Sequence, residues 1–564
     1  MMLTKGLAAI GVAVAVAGAP AWTGTQARTG EQAWTDVRAS TSAPERTDAQ
    51  ALENASANAA AQPGAQALTS APTWTDAQAA GDAPDTIARV EAYLDSVRHE
   101  PGRLGEFVAD LPKGADLHTH LSGAVPTGYL LNSAVRGDLC VDTASLTASA
   151  PPCRDGQRPA RDAVTDPRFA DDIVRAWSMR GFTPGKESGH DHFFSAFGRF
   201  GAATSDKGEM LALLAARAAA QQEFTLEVML SRQSGAVQDL VKKAGGSASD
   251  LAGLRDRLLA DGAMAGIVKA ARADADTDIA RMRKDLRCDD GDADPGCALP
   301  LRFLLQVTRT APPEVVFAQM LLGFELAKAD ERYVGVNLVA PEDDPVALRD
   351  YRLHMRMLDY LRGLYPEAHI SLHAGELTPG LAPDADLRFH IREAVKTGHA
   401  ERIGHGASIG GEDDPAGLMA DMARGHVLVE IALTSNCQIL KVCDDAHPFA
   451  EYRRAGVPVA LVTDDAGIEH TDLNGEYLRA ITQYGLRYAD LKTLARTALD
   501  HSFLQGASLW RAPDDHTPVP ECAGSPLGGE PAPSCLAVLK KSPKAAAEWR
   551  QEGAFTAFED RYDG

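Results

Sequence analysis

Long apolar runs are nearly missing from this sequence. One stands out, Leu7–Ala19, and it falls short of the roughly 20 apolar residues that a membrane span needs. Clusters of Lys and Arg are missing too. The 56 basic residues are outnumbered by 78 acidic ones, and the net charge is −22. Neutralising nucleic-acid phosphates takes clustered cations, so no nucleic-acid partner is expected. No glycine-rich phosphate loop of the dinucleotide or P-loop type occurs, which argues against a nucleotide cofactor. No Cys-x-x-Cys spacing occurs, so the cysteines do not read as a zinc finger.

What is present is ordinary for a globular chain. Apolar residues make up 45% of the 564 and charged residues 24%. Lys5 followed by the short apolar run, with small residues at Ala19-Pro20-Ala21 and Thr25-Gln26-Ala27, reads as a secretory signal over residues 1–27. A secreted or periplasmic protein is expected, with no membrane association after cleavage. Residues 28–84 are rich in Ala, Thr, Gln, Asp, Gly and Pro and poor in large aliphatics. Such a stretch cannot bury enough surface to offset its ordering entropy, and it reads as a linker. Residues 85–111 return to helical periodicity, with Ile87, Val90, Leu94, Val97, Leu104, Phe107 and Val108 on one side and a break at Pro101-Gly102.

The eight cysteines fall into neighbouring pairs separated by 13, 9, 6 and 13 residues. An even count in local pairs suits disulfides in an oxidising compartment. The expected bonds are Cys140–Cys153, Cys288–Cys297, Cys437–Cys443 and Cys522–Cys535. The stretch 513–535 gets no role beyond a stapled loop.

From residue 112 onward, short apolar runs alternate with amphipathic stretches. Strands are predicted at Ala115–His120, Phe224–Leu230, Leu301–Val307, Tyr333–Val339, His369–His373, Arg402–His405, Val427–Leu433 and Val457–Val462. Eight strand–helix units favour an α/β fold closed as a (β/α)8 TIM barrel over 112–564. About a hundred residues separate the first two strands. An insertion over about 132–200 is expected to cover the barrel mouth, its first part stapled by a disulfide.

The chemistry gathers at the C-terminal ends of the predicted strands, where barrel enzymes place active sites. His118 and His120 alternate at the end of strand 1, so both imidazoles face one side. Strand 5 ends in His373 and leads to Glu376. Strand 6 ends in His405. The last strand runs into Asp464-Asp465, two carboxylates that need a cation or donors if buried. Three imidazoles and one carboxylate leave room for a water on a zinc ion, which lowers the pKa of that water to about 7.

The segments Pro112–Gly123, His373–Glu376, Arg402–Gly406, Thr434-Ser435-Asn436 and Thr463-Asp464-Asp465 together resemble the adenosine deaminase family. They are most similar to its secreted, growth-factor-related branch. The resemblance covers roughly residues 85–510. It implies one zinc per chain on His118, His120, His373 and Asp464. It implies that Glu376 protonates the purine ring, that His405 orients and deprotonates the attacking water, and that Asp465 bonds the purine near N7 and the attacking oxygen. The implied activity is hydrolytic deamination of adenosine or 2′-deoxyadenosine, with a small purine nucleoside as the partner molecule. The N-terminal helices resemble those the secreted branch uses to form a homodimer.

Some positions depart from the family pattern. Ser122 stands where many members have an Asp that meets the ribose. Ala340 replaces a Gly whose N–H meets the purine. Ala466 replaces a Pro. These changes keep two alternatives open: an aminohydrolase of adenine or a modified adenosine, and a growth-factor-like binding protein. A two-metal hydrolase of similar fold would need a bridging Lys, where strand 4 offers Asn337. Within the insertion, Phe193 and Phe197 at i and i+4 read as a packing face. His190 is carried as a substrate contact, and Glu227 as a support for the ligands.

Overall fold

The computed structural model describes residues 84–183 and 186–562. The signal segment, and the linker up to residue 83, lie outside the described residues. No helix among the described residues is long and apolar enough to cross a membrane.

Eight parallel strands form the core. They are β1 (Gly114–His120), β5 (Glu223–Leu230), β6 (Leu301–Thr308), β7 (Tyr333–Val339), β8 (His369–Ala374), β9 (Arg402–His405), β10 (Leu428–Ile431) and β11 (Val459–Leu461). They pair in that order. The ring closes where β11 runs into Asp464. The Asp464 N–H donates to the His118 carbonyl at 2.9 Å, and the His120 N–H donates to the Asp464 carbonyl at 3.2 Å. This is the predicted (β/α)8 barrel, and all eight predicted strands occur within two residues of their expected bounds. Strand β10 ends early because Leu433 already opens a helix, Leu433–Leu440.

These strands are buried on both faces, so they read as apolar runs. Ala115, Leu117, Leu428, Ala460 and Val462 pack with Ala498 and Leu499 of the helix Tyr488–Asp500. The N-terminal helices Pro84–Val97 and Pro101–Asp110 bury their apolar side chains within this same chain. Phe107 meets Phe558 edge-on with ring centres 5.2 Å apart. Glu91 accepts from the N–H of Tyr488 at 2.8 Å.

Between β1 and β5 lies the insertion. It contains a small antiparallel sheet of β2 (Cys140–Asp142), β3 (Ala148–Ser149) and β4 (Gln157–Pro159), in the order β3-β2-β4. None of these three strands is among those predicted from sequence, because strands of two or three residues carry no periodicity. The four expected disulfides are all formed. The last one belongs to a small core of its own, where Cys522 and Cys535 are buried with Leu509, Trp510, Ala545 and Trp549.

Candidate active site

The strand ends bring together residues far apart in sequence. His118, His120, His373 and Asp464 offer ligand atoms that all lie within 4.8 Å of one another, and all four side chains are buried. Nε2 of His373 lies 3.0 Å from Nε2 of His118 and 3.2 Å from Nε2 of His120. Oδ1 of Asp464 lies 3.4 Å and 3.2 Å from the same two nitrogens. Ligands about 2.0–2.1 Å from a tetrahedral zinc are spaced about 3.3 Å apart. The donor set therefore fits such an ion in both spacing and chemistry. Asp464 Oδ1 has no hydrogen bond although it is buried, which leaves its lone pairs for a cation.

The other ring nitrogens fix how these imidazoles point. Nδ1 of His118 meets Glu430 Oε2 at 2.6 Å, Nδ1 of His120 meets the Gln306 amide at 2.5 Å, and Nδ1 of His373 meets Asn337 Oδ1 at 2.6 Å. Each Nε2 is thereby turned toward the common centre. Such partners orient a ligand and tune its basicity. Ser435 donates to Asp464 Oδ2 at 2.8 Å. Burial lowers His120, and burial with the neighbouring imidazoles holds His373 well below the usual range, so both stay neutral. Burial works against a charge on His118 too, yet Asp464 and Glu430 raise it to about 10. The centre thus attracts positive charge.

Support runs deeper along β9. Arg402 is fully buried between two carboxylates, 2.7 Å from Glu227 and 2.8 Å from Glu430. Glu227, expected to support the ligands, thus reaches His118 through Arg402 and Glu430. Gly404 leaves space for the His118 ring, because a Cβ there would lie 2.6 Å from its Cε1.

Glu376 sits beside this cluster, its Oε1 3.9 Å from Nε2 of His405. Burial first, then the charges of Asp464 and Glu342, push its carboxyl up to about 8, although Arg309 and His190 oppose this. Glu342 holds the loop in place by accepting from the backbone N–H groups of Gly375 and Glu376 at 3.1 and 2.8 Å. Asp465 is raised well above the carboxylate range, by burial and then by Asp464. Its Oδ1 is buried without a partner, and a Cβ on Gly123 would collide with it. Burial brings His405 down to about 4. Both His405 and Asp464 have positive φ, at +69° and +60°. Backbone held this way clusters at functional sites.

The expected substrate contacts fare differently. Ser122 follows β1 in the short helix Leu121–Ala124 and is partly exposed. Ala340 follows β7 with φ +82°, the region that favours the glycine it replaces. His190 has both nitrogens engaged, with Asp343 at 2.8 Å and Asp191 at 3.1 Å. In this arrangement it offers no free N–H to a ligand. Phe193 is buried and packs against Phe197 with ring centres 5.3 Å apart. Sequence reasoning missed Gln306, Glu342, Glu430 and His447. A Glu in the middle of the apolar run Val427–Ile431 was the available signal for Glu430.

The family model described as adenosine deaminase matches residues 279–509. An aminodeoxyfutalosine deaminase of Streptomyces coelicolor is 37% identical over 155 residues, 27% of this chain and 37% of that protein. An adenosine deaminase of Serratia proteamaculans is 37% identical over 136 residues, 24% of this chain and 38% of that protein. An N6-mAMP deaminase of Arabidopsis thaliana is 28% identical over 258 residues, 46% of this chain and 66% of that protein. The chain thus spans between about a third and two thirds of these relatives' lengths. Among solved structures, the apo N6-methyl-AMP deaminase of Arabidopsis thaliana gives a TM-score of 0.46 at 20% identity, covering 71% of this chain and 94% of that one.

Proposed function

Given an adenosine deaminase family domain in this chain, we propose that the protein is an exported zinc-dependent aminohydrolase that removes the 6-amino group of adenosine or 2′-deoxyadenosine. One observation carries the reading. Three imidazoles and a carboxylate converge within 4.8 Å, and a second buried carboxyl, Glu376, stands next to them.

The residues in place to hold one zinc ion are His118, His120, His373 and Asp464. When bound, such an ion acidifies a water and polarises the group under attack. The chain's own residues supply the rest. Glu376, held protonated by its buried setting, carries a proton for a purine ring nitrogen. Asp465, likewise kept as the acid, donates to a second ring nitrogen. His405 directs its free Nε2 into the site. Glu342 anchors the Gly375-Glu376 backbone, so that Glu376 does not swing away.

Ser122 and Ala340 stand where family members read the ribose and the base, and they motivate a second reading. Relatives of this chain are named for adenine, N6-mAMP and aminodeoxyfutalosine as well as adenosine. A panel of these 6-aminopurines, followed by ultraviolet spectroscopy with zinc quantified, separates the readings. Preferred turnover of adenosine and deoxyadenosine with one zinc per chain is expected. Better turnover of a compound lacking ribose would overturn the nucleoside assignment, and two metals per chain would overturn the mechanism. A growth-factor-like binding protein is disfavoured by a complete set of metal-binding and acid residues. The four disulfides support the proposed export. A homodimer through residues 85–110 would have to use their outward polar sides, since their apolar side chains are buried within the chain.

A further inference from the structure

A line of buried side chains leads away from the site behind His405. It begins at a backbone group, the N–H of Phe449, which donates to Nδ1 of His447 at 3.1 Å. Since a backbone N–H can only donate, Nδ1 of His447 is the acceptor, and the proton of this neutral ring lies on Nε2. That Nε2 donates to Asn436 Oδ1 at 2.9 Å. The Asn436 amide is thereby oriented, with its NH2 facing Nδ1 of His405 at 2.9 Å. Nδ1 of His405 accepts, so the His405 proton lies on Nε2. Nε2 has no hydrogen-bond partner among the described residues, and it faces the site 3.9 Å from Glu376 Oε1 and 3.8 Å from Asp464 Oδ2.

His447, Asn436 and His405 are all at most 3% exposed, so water does not compete for these bonds. The loop that carries His447 is tied to the helix that carries Asn436 by the Cys437–Cys443 disulfide. The direction of every bond follows from one backbone donor, and no link can reverse without leaving a buried group unpaired.

We propose that His447 and Asn436 are positioning residues that hold His405 in its Nε2–H tautomer, so that His405 donates a hydrogen bond to the attacking oxygen instead of taking its proton. This rests on the aminohydrolase reading of the site. It departs from the base role that family resemblance implies for His405, and it gives His447 a task that the metal and substrate groups do not explain.

The test reads the tautomer directly. Nitrogen NMR of the full, metal-loaded chain labelled at histidine reports which His405 nitrogen carries the proton, with no substrate needed. Nε2 is expected to be protonated in the wild type. Asn436→Asp offers His405 only an acceptor and is expected to move the proton to Nδ1, with kcat falling about 100-fold and KM changing less than about threefold. His447→Phe removes the donor to Asn436 and is expected to lower kcat about tenfold at unchanged metal content, with His447→Gln recovering most of that loss. A wild-type His405 protonated on Nδ1 would overturn the proposal. So would wild-type kcat in both Asn436→Asp and His447→Phe. A chain inert toward every 6-aminopurine would sink the functional reading, and the spectra alone would then decide the tautomer.

Discussion

A carboxyl that must give up a proton near neutral pH has to be kept from ionising in water. Glu376 is kept so by burial and by the nearby charges of Asp464 and Glu342. The raised group is protonated below about 8 and loses its proton as the pH rises through that value. If the protonated form is the active one, kcat falls on the alkaline side, and a pH–rate profile checks this. Glu376→Gln keeps the shape but cannot transfer the proton. It is expected to bind zinc normally by elemental analysis and to lose about 10²–10⁴-fold in kcat. Near-wild-type turnover in that variant would remove Glu376 from the mechanism.

The strands show why some of this was legible in sequence and some was not. Strand β9 packs three jobs into four residues. Arg402 joins Glu227 to Glu430, Gly404 makes room for the His118 ring, and His405 stands at the rim. Its neighbour β10 contributes Glu430, which turns His118 through Nδ1. Glu430→Gln is expected to weaken zinc binding by about 10–100-fold, measured by competition with a chelator, while leaving the barrel folded. Unchanged affinity would mean that Glu430 only neutralises Arg402. The strand ends could be read because apolar runs stop at chemically distinct residues, so His118, His120, His373 and Asp464 stood out. Glu430 and Gln306 could not be assigned in the same way, because their partners lie on other strands and only the barrel register brings them together. The three short strands of the insertion stayed hidden for a different reason. They are held by the cross-strand bonds of β2 and by the Cys140–Cys153 disulfide, which leave no apolar alternation to read.

At the scale of the whole molecule, four short disulfides hold the loops around one barrel. They close loops of 6 to 13 residues. Such loops add about 2–3 kcal/mol each by restricting the unfolded chain. Peptide mapping without reduction is expected to recover these four links, and a reductant is expected to lower Tm. A Tm that ignores reduction would show that the bonds are not formed in the isolated protein. Zinc returned to the chelated protein is expected to raise Tm in step with its free concentration, since it binds the folded chain selectively.

The way the ring closes has a mechanical meaning. Among the described residues, β1 and β11 share no ladder, and their join is the bridge between Thr119 and Asp464. Two of the candidate ligands, His118 and His120, lie on one bank of that seam, and Asp464 lies on the other. An ion held by all three is a rivet across the thinnest part of the wall. Stripping it out is expected to speed amide exchange at His120 and Asp464 well before the interior strands β6 and β7 loosen. The proposed catalytic centre and this joint of the barrel are then the same few residues, and one ion bound there would keep both in shape.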